Sequence, residues 1–299
     1  MTTNGMLLLD KPGGMTSHDV VARVRRIVGE RRVGHAGTLD PMATGLLIVA
    51  IGPATRLLRF VQAETKRYVG TIELGVATDS LDADGTVVAR APVPDIDEVA
   101  MSRAAAELTG PQLQVPPMVS AIKIDGERLY ALARRGVEVD RPARSITVDE
   151  FTLTRGTGVN QWDFVVVCST GTYVRVLAND LAQRIGTVGH LTALRRTAIG
   201  AHDVSNAITL DALADAMALG RAPVAPPRAM VQHLESVTVQ DDEVRRIVRG
   251  QRIEVASGVV GPVVAAIDLT GDLVAVLGRR GDQWQPEIVF AAVAGPGRP

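Results

Sequence analysis

A chain of 299 residues with 46% apolar and 22% charged residues can bury a large core, in one large domain or two at about 150 residues each. No apolar run reaches the ~18 residues of a membrane span, and Met6–Leu9 is too short for a secretory signal, so the sequence reads as a cytoplasmic protein with no membrane partner. Cys168 is the single cysteine, which excludes an internal disulfide and a cysteine-clustered zinc site. The net charge of −1 is unevenly spread: residues 1–70 carry +5, 71–115 carry −6, 116–200 carry +3 and 201–299 carry −3. The first and third blocks could fold into one basic face suited to a polyanion.

Met6–Leu9 reads as a buried strand. Thr16 with Asp19 forms a capping-box pattern, and Val20, Val21, Val24, Ile27 and Val28 keep helical spacing up to Gly29. After a loop rich in small residues, Leu46–Ile51 reads as a second buried strand, followed by a helix that starts at Pro53 and turns Leu57, Leu58 and Val61 inward. Lys66–Leu74 alternates like a strand, Asp79–Gly85 is an acidic turn, and Asp95–Leu108 reads as a helix capped by Asp95 and Glu98. A strand is expected near Val119–Ile124, a helix over Arg128–Arg135, and a basic mobile insertion that runs on to Arg144. Strands near Ile146–Thr154 and Trp162–Ser169, a helix over Thr172–Ile185, a return to the sheet over 188–200 and a helix over Thr209–Leu219 follow.

Three prolines between Arg221 and Arg228 stop both helix and central strand. The expected organisation is therefore a first unit over 1–220, a Pro-rich linker over 221–235 and a small β-rich unit over 236–299. The last unit is expected to use apolar runs near Ser236–Val239, Arg252–Val255, Val263–Ile267 and Leu273–Leu277.

The stretch Gly34-His35-Ala36-Gly37-Thr38-Leu39-Asp40-Pro41-Met42-Ala43-Thr44-Gly45 sets one carboxylate among small and turn-forming residues. Glycines let a backbone approach a ligand closely, and Pro41 stiffens the chain just after Asp40. The segment lacks Gly-Lys-Ser/Thr, so it is no P-loop. The Asp79–Gly85 turn lacks a bidentate carboxylate at the twelfth loop position, which argues against calcium, although Asp82 is placed to touch the Asp40 loop. Four scattered histidines, His18, His190, His202 and His233, suggest no metal site. What remains is chemistry with one carboxylate and no metal, of which nucleophilic attack by aspartate is one form. A buried aspartate beside an arginine can stay charged, and Arg175, at the first turn of the helix after Ser169-Thr170-Gly171-Thr172-Tyr173, could supply the cation.

These residues resemble a known family. Gly34–Pro41 is similar to the catalytic motif of the TruB family of pseudouridine synthases. Lys11-Pro12-Gly13-Gly14-Met15-Thr16-Ser17, Lys66-Arg67-Tyr68, Thr78–Gly85, Pro116–Lys123, Gly171-Thr172-Tyr173-Val174-Arg175 and Leu194-Arg195-Arg196 match it in the same order, over about residues 6–200. Ala36 departs from the pattern, where the family often has threonine.

The resemblance implies an α+β fold: a mixed, largely antiparallel central sheet flanked by helices, with a small C-terminal β-rich domain of the PUA type. It implies isomerisation of uridine to pseudouridine at position 55 in the T-loop of transfer RNA, by base flipping and without cofactor or metal. A monomer is expected. Asp40 would be the nucleophile, Arg175 its partner and Tyr68 the ring stacked on the target base. His35 would help displace and hold the flipped nucleotide, Tyr173 and Leu194 would line its pocket, Lys11 and Asp82 would lie close to the substrate, and the motif that carries Lys11 would shape and support the Asp40 loop. The insertion over about 123–144 would clasp RNA phosphates through Lys123, Arg128, Arg134, Arg135, Arg141 and Arg144. The rival reading is a tRNA-folding factor of the same fold that only binds RNA.

Overall fold

The computed structural model describes residues 4–120, 123–124, 127–128, 135, 137, 139–254 and 258–290. Strand β1 (Gly5–Lys11) leads through helix α1 (Ser17–Val28) to β2 (Val33–Ala36) and β3 (Thr44–Ile51). The Thr16–Asp19 capping box forms in full, Gly29 closes α1 in the left-handed region with φ 67°, and Val20, Val21 and Val24 face the core. A 3-10 turn over Gly52–Leu57 with Pro53 in its first positions precedes α2 (Leu58–Ala63), which buries Val61.

Strand β4 (Lys66–Leu74) buries alternate residues, so Lys66, Tyr68, Ile72 and Leu74 share one face. A hairpin of β5 (Val76–Thr78) and β6 (Val87–Arg90) encloses the acidic turn. Helix α3 spans Glu98–Ala106 and is capped by Asp97, whose side chain accepts from the Ala100 N–H. The expected Asp95 cap is thus two residues early, because Pro94-Asp95-Ile96 lies outside regular structure and the helix begins at Glu98. Strand β7 (Gly110–Gln114) was not foreseen; it carries Pro111 at the sheet edge, where a missing N–H costs no ladder bond.

Lys123–Ile124 (β8) and Glu127–Arg128 (β9) pair as a short hairpin, with Lys123 opposite Arg128. Arg128 is therefore in a strand and does not open the expected helix; 129–134 lie outside the described residues. The main sheet continues with β10 (Arg144–Arg155) and β11 (Gln161–Cys168), then α4 (Val174–Arg184), β12 (Gly189–Ile199) and β13 (His202–Asp203). Helix α5 (Leu210–Ala218) is capped by the Thr209 hydroxyl.

The central sheet has the order β1-β3-β12-β4-β11-β10-β7, with β2 and β13 paired at its margins. Its pairings are antiparallel except at β3 and β12, which run parallel with Arg195 opposite Thr44 and Arg196 opposite Gly45. That junction fixes where the Asp40 loop enters the sheet. Gly45 is required there: with φ at +97°, a Cβ would stand 2.3 Å from the Arg196 carbonyl oxygen.

The C-terminal sheet has the order β14-β15-β16-β17, built from Ser236–Thr238, Val263–Ile267, Leu273–Arg280 and Gln283–Val289. Two elements of this unit were not foreseen, β17 and the helix α6 (Asp241–Val248); within the expected strand over Arg252–Val255, Ile253 forms a bridge to Trp284 and Val255 lies outside the described residues. This sheet shares a core with the first unit: Ile267, Val276 and Ile288 join a cluster with Met6, Leu46, Ile48 and Leu57. The Pro-rich segment is held as well, since Met6 and Ala225 exchange backbone hydrogen bonds of 2.8 Å. Among the described residues, no helix is long and apolar enough to cross a membrane.

Candidate active site

The loop between β2 and β3 is clamped from below by residues of the Lys11–Ser17 segment. Lys11 is fully buried and donates from Nζ to the Pro41 carbonyl at 3.2 Å and to its neighbour Pro12 at 2.8 Å. The Gly14 N–H donates to the same Pro41 carbonyl at 2.9 Å. Ser17, also fully buried, accepts from the Leu39 N–H at 2.9 Å and donates from its hydroxyl to the Leu39 carbonyl at 3.2 Å. Arg196 from β12, 1% exposed, donates from Nε to Leu46 and from Nη2 to Gly37 at 2.8 and 3.0 Å. The turn closes through the Ala43 N–H, which donates to the Asp40 carbonyl at 3.1 Å.

Ser17 and Arg196 hold the loop by its backbone. The Lys11–Ser17 motif implied such support, but neither Ser17 nor Arg196 was singled out, because a side chain that bonds a distant backbone leaves no signature of its own in a single sequence. Ser17→Ala strands a buried N–H and a buried carbonyl at Leu39. The expected loss is about 1–3 kcal/mol of stability, with turnover reduced more than RNA affinity; a denaturant melt and a kcat/KM measurement check both.

Above this platform, Asp40 meets Arg175, 135 residues away in sequence. Arg175 projects from the first turn of α4 and is 2% exposed. Its Nη2 donates to Asp40 Oδ1 at 3.2 Å, and its Nε stands 2.9 Å from Oδ2 as an ion pair whose N–H is not aligned for a hydrogen bond. The guanidinium is pinned further by the carbonyls of Ser80 at 2.8 Å and Val119 at 3.0 Å. Asp82 completes the set, with Oδ2 3.4 Å from Arg175 Nη1.

Two expectations change here. Asp82 is buried and tied to the Ser80 hydroxyl and the Asp84 N–H, so it positions Arg175 and is not presented to a substrate. Lys11 likewise supports the loop and is not open to substrate. The apparent isolation of Asp40 from other acids holds in sequence only: burial pushes its pKa up, Arg175 pulls it back, and the nearby Asp82 charge pushes it up again, leaving it above the ordinary carboxylate value. A third of the Asp40 side chain remains open to the cavity. The same burial lowers Lys11 to about 8, against the opposing pull of Asp40.

The cavity in front of Asp40 measures about 380 Å³ and is walled by Tyr68, Tyr173, Leu194, Arg175, Lys66 and Arg196 among others. Tyr68 lies on the inward face of β4 with its phenol pKa raised by burial, so it faces the cavity as a neutral ring. Tyr173 caps α4, and its peptide is clamped by Gln114, which accepts from the Tyr173 N–H at 2.8 Å and donates to its carbonyl at 3.2 Å. Lys66, buried, donates to the carbonyls of Gln62 and Glu64, and burial lowers its pKa to about 8.

His35 is not on the cavity wall. It sits on β2 with its ring edge-on to His18, centroids 5.5 Å apart at 84°, and burial pushes its pKa down to about 4, which makes it neutral at pH 7. In the insertion, Arg135 is exposed and paired with Glu127, Arg141 is half-buried, and Arg144 is exposed at the start of β10. Lys123 and Arg128 are described by their backbone pairing, and Arg134 lies outside the described residues. Among the described residues, no group of three or more His, Cys, Asp or Glu is placed to hold a metal ion.

Known proteins resemble this chain over most of its length. Residues 25–174 match the model for the TruB family pseudouridylate synthase N-terminal domain, and residues 175–238 match the tRNA pseudouridylate synthase B C-terminal domain. A tRNA pseudouridine synthase B from Thermobifida fusca is 47% identical over 296 residues, covering 96% of this chain and 99% of that protein. One from Opitutus terrae is 53% identical over 210 residues, covering 70% and 87%. Among solved structures, a chain of an H/ACA ribonucleoprotein bound to a substrate RNA containing 2′-deoxyuridine superposes with a TM-score of 0.75 at 25% identity, covering 96% of this chain and 85% of that one. A chain of a Cbf5–Nop10–Gar1 complex gives the same TM-score at 26% identity, with the same coverage. With family models that together span most of its length, a near-full-length relative at 47% identity and the Asp40 motif seated in a matching fold, the chain belongs to the TruB family of pseudouridine synthases.

Proposed function

We propose that the protein isomerises uridine to pseudouridine at position 55 in the T-loop of transfer RNA, with Asp40 as nucleophile. The observation that carries this reading is the Asp40–Arg175 pair set against Tyr68 in one cavity. The reaction is a balanced rearrangement. Asp40 attacks the ribose carbon or the base ring, the N1–C1′ bond breaks, and the uracil turns. A C5–C1′ bond then forms, the bond to Asp40 breaks and frees its carboxylate, C5 loses its proton and N1 gains one.

Arg175 holds the carboxylate ionised and aimed, Tyr68 stacks on the extruded base, and Tyr173 and Leu194 close the pocket around it. On this reading His35, kept neutral by burial, meets the nucleotide as it leaves the stack. On this reading the protein works in the cytoplasm as a monomer without cofactor. Residues 1–220 form the catalytic unit, the segment over 221–235 joins it to a PUA-like unit from 236 onward, and the insertion over about 123–144 clasps phosphates.

T-arm RNA labelled with tritium at uridine C5 tests the activity. One tritium released per RNA is expected, whereas tight binding without release would make the protein the RNA-folding factor of the rival reading. The insertion is tested separately. Replacing Arg134 and Arg141 together should lower the salt slope of RNA binding by about 1–2, read from equilibrium binding at several ionic strengths. An unchanged slope removes the segment from the interface.

A further inference from the structure

Buried hydroxyl groups in this fold are generally partnered. Ser17 bridges to Leu39, Thr78 and Ser80 donate to Asp82, and Thr187 donates to the Pro92 carbonyl at 2.9 Å. Ser120 Oγ and Thr172 Oγ1 are the exceptions: among the described residues, they are the buried side-chain hydroxyls without a hydrogen-bond partner. Both line the cavity beside Asp40. Native structures keep few such groups, and each one asks for a reason.

Both residues stand on fixed backbone. Ser120 is 6% exposed, its N–H donates to the Met118 carbonyl at 3.0 Å, and the carbonyl before it, Val119, is held by Arg175. Thr172 precedes Tyr173, whose peptide is clamped on both sides by Gln114. The Thr172 hydroxyl approaches the buried Cys168 thiol, a weak acceptor, without reaching hydrogen-bond geometry. The two hydroxyls are therefore held in place by groups that do not satisfy them.

The cations of the same cavity are already engaged. Arg196 donates to Leu46 and Gly37, Lys66 to Gln62 and Glu64, and Arg175 to Asp40, Ser80 and Val119. A phosphate would find no uncommitted cation here, whereas neutral hydroxyls suit neutral polar groups. A hydroxyl donates to a carbonyl or accepts from an N–H, and the uracil ring presents two carbonyls flanking one imino N–H. We propose that Ser120 and Thr172 are specificity-determining residues, whose hydroxyls bond the carbonyl and imino edge of the base drawn into the cavity. The inference rests on the pseudouridine synthase reading of the site.

The test pairs enzyme variants with altered bases. Ser120→Ala and Thr172→Val are each assayed under single turnover on T-arm RNA carrying uridine, 2-thiouridine or 4-thiouridine at the target, sulfur being a poor acceptor. With uridine, each variant should lose on the order of tenfold in rate, and Thr172→Ser should recover most of the loss at that position. The wild type should lose a similar factor on at least one thio base, and the variant lacking the matching hydroxyl should lose less than about twofold more on that base. Losses that multiply independently for both variants on both thio bases, or variant rates within about twofold of wild type on uridine, overturn the proposal. Failure of the wild type to convert uridine RNA at all would instead overturn the functional reading, so the two failures are distinct.

Discussion

Replacing Asp40 with asparagine leaves a protein that binds T-arm RNA and forms no measurable pseudouridine. Asparagine has nearly the same shape, but its amide is no nucleophile at carbon. The loss should reach about 10⁴-fold or more, the scale on which removal of a catalytic nucleophile acts. Binding should change by less than about threefold, because the loop that carries Asp40 is clamped by Lys11, Gly14, Ser17 and Arg196 and not by its carboxylate. Arg175 keeps Asp82 and two carbonyls as partners, so the guanidinium is not left unpaired. Equilibrium binding and single-turnover assays on one preparation separate the effects. Residual turnover within a hundredfold of wild type would remove Asp40 from the role of nucleophile.

Arg175→Met has the second largest effect, and it acts on both activity and stability. The variant leaves Asp40 and the buried Asp82 facing each other without a cation. Breaking a buried ion pair from one side costs about 3–5 kcal/mol; the lower end is expected here because a third of Asp40 opens to the cavity. Turnover at pH 7 should fall at least about 100-fold, since the carboxylate loses both its orientation and the charge that favours its ionised form.

The pH dependence has a definite sign. Arg175 holds the Asp40 pKa down against burial, so removing it raises the folded-state value further above the ordinary 3.8. The folded variant then retains a proton that the unfolded chain releases, and the stability deficit is fully present above the raised pKa. The deficit shrinks as pH falls through that pKa toward 3.8. Denaturant melts of wild type and variant at neutral and mildly acid pH should converge, and adding Asp82→Asn should restore part of the stability at neutral pH without restoring turnover. A stability gap that is constant or widens on acidification would contradict this electrostatic account.

The framework of the fold was legible where one residue pattern had one physical meaning. Thr16 and Asp19 before a valine stripe could only cap a helix, and the alternation of Lys66, Tyr68, Ile72 and Leu74 placed Tyr68 on the inward face of β4. Elements without a strong period were lost. Strand β7 has Pro111 and an exposed Leu113, β17 contains Pro286, and α6 opens on three acidic residues that resemble a turn.

In the site, the pairing of Asp40 with Arg175 was reachable because each carries its own motif. The clamp was reachable in part: the Lys11–Ser17 motif implied support for the Asp40 loop, but the contacts of Ser17 and Arg196 with its backbone exist only in the folded chain. Asp82 shows the same limit. The sequence put it near the Asp40 loop, forty-two positions on, but its contact with Arg175 exists only once the β5–β6 hairpin carries it there.

The most direct test of the central claim is a site map of pseudouridine in unmodified transfer RNA after incubation with the wild-type protein alone. One new pseudouridine in the T-loop, at position 55, is the predicted result. Pseudouridine at another position, or none in RNA that the protein demonstrably binds, would contradict it.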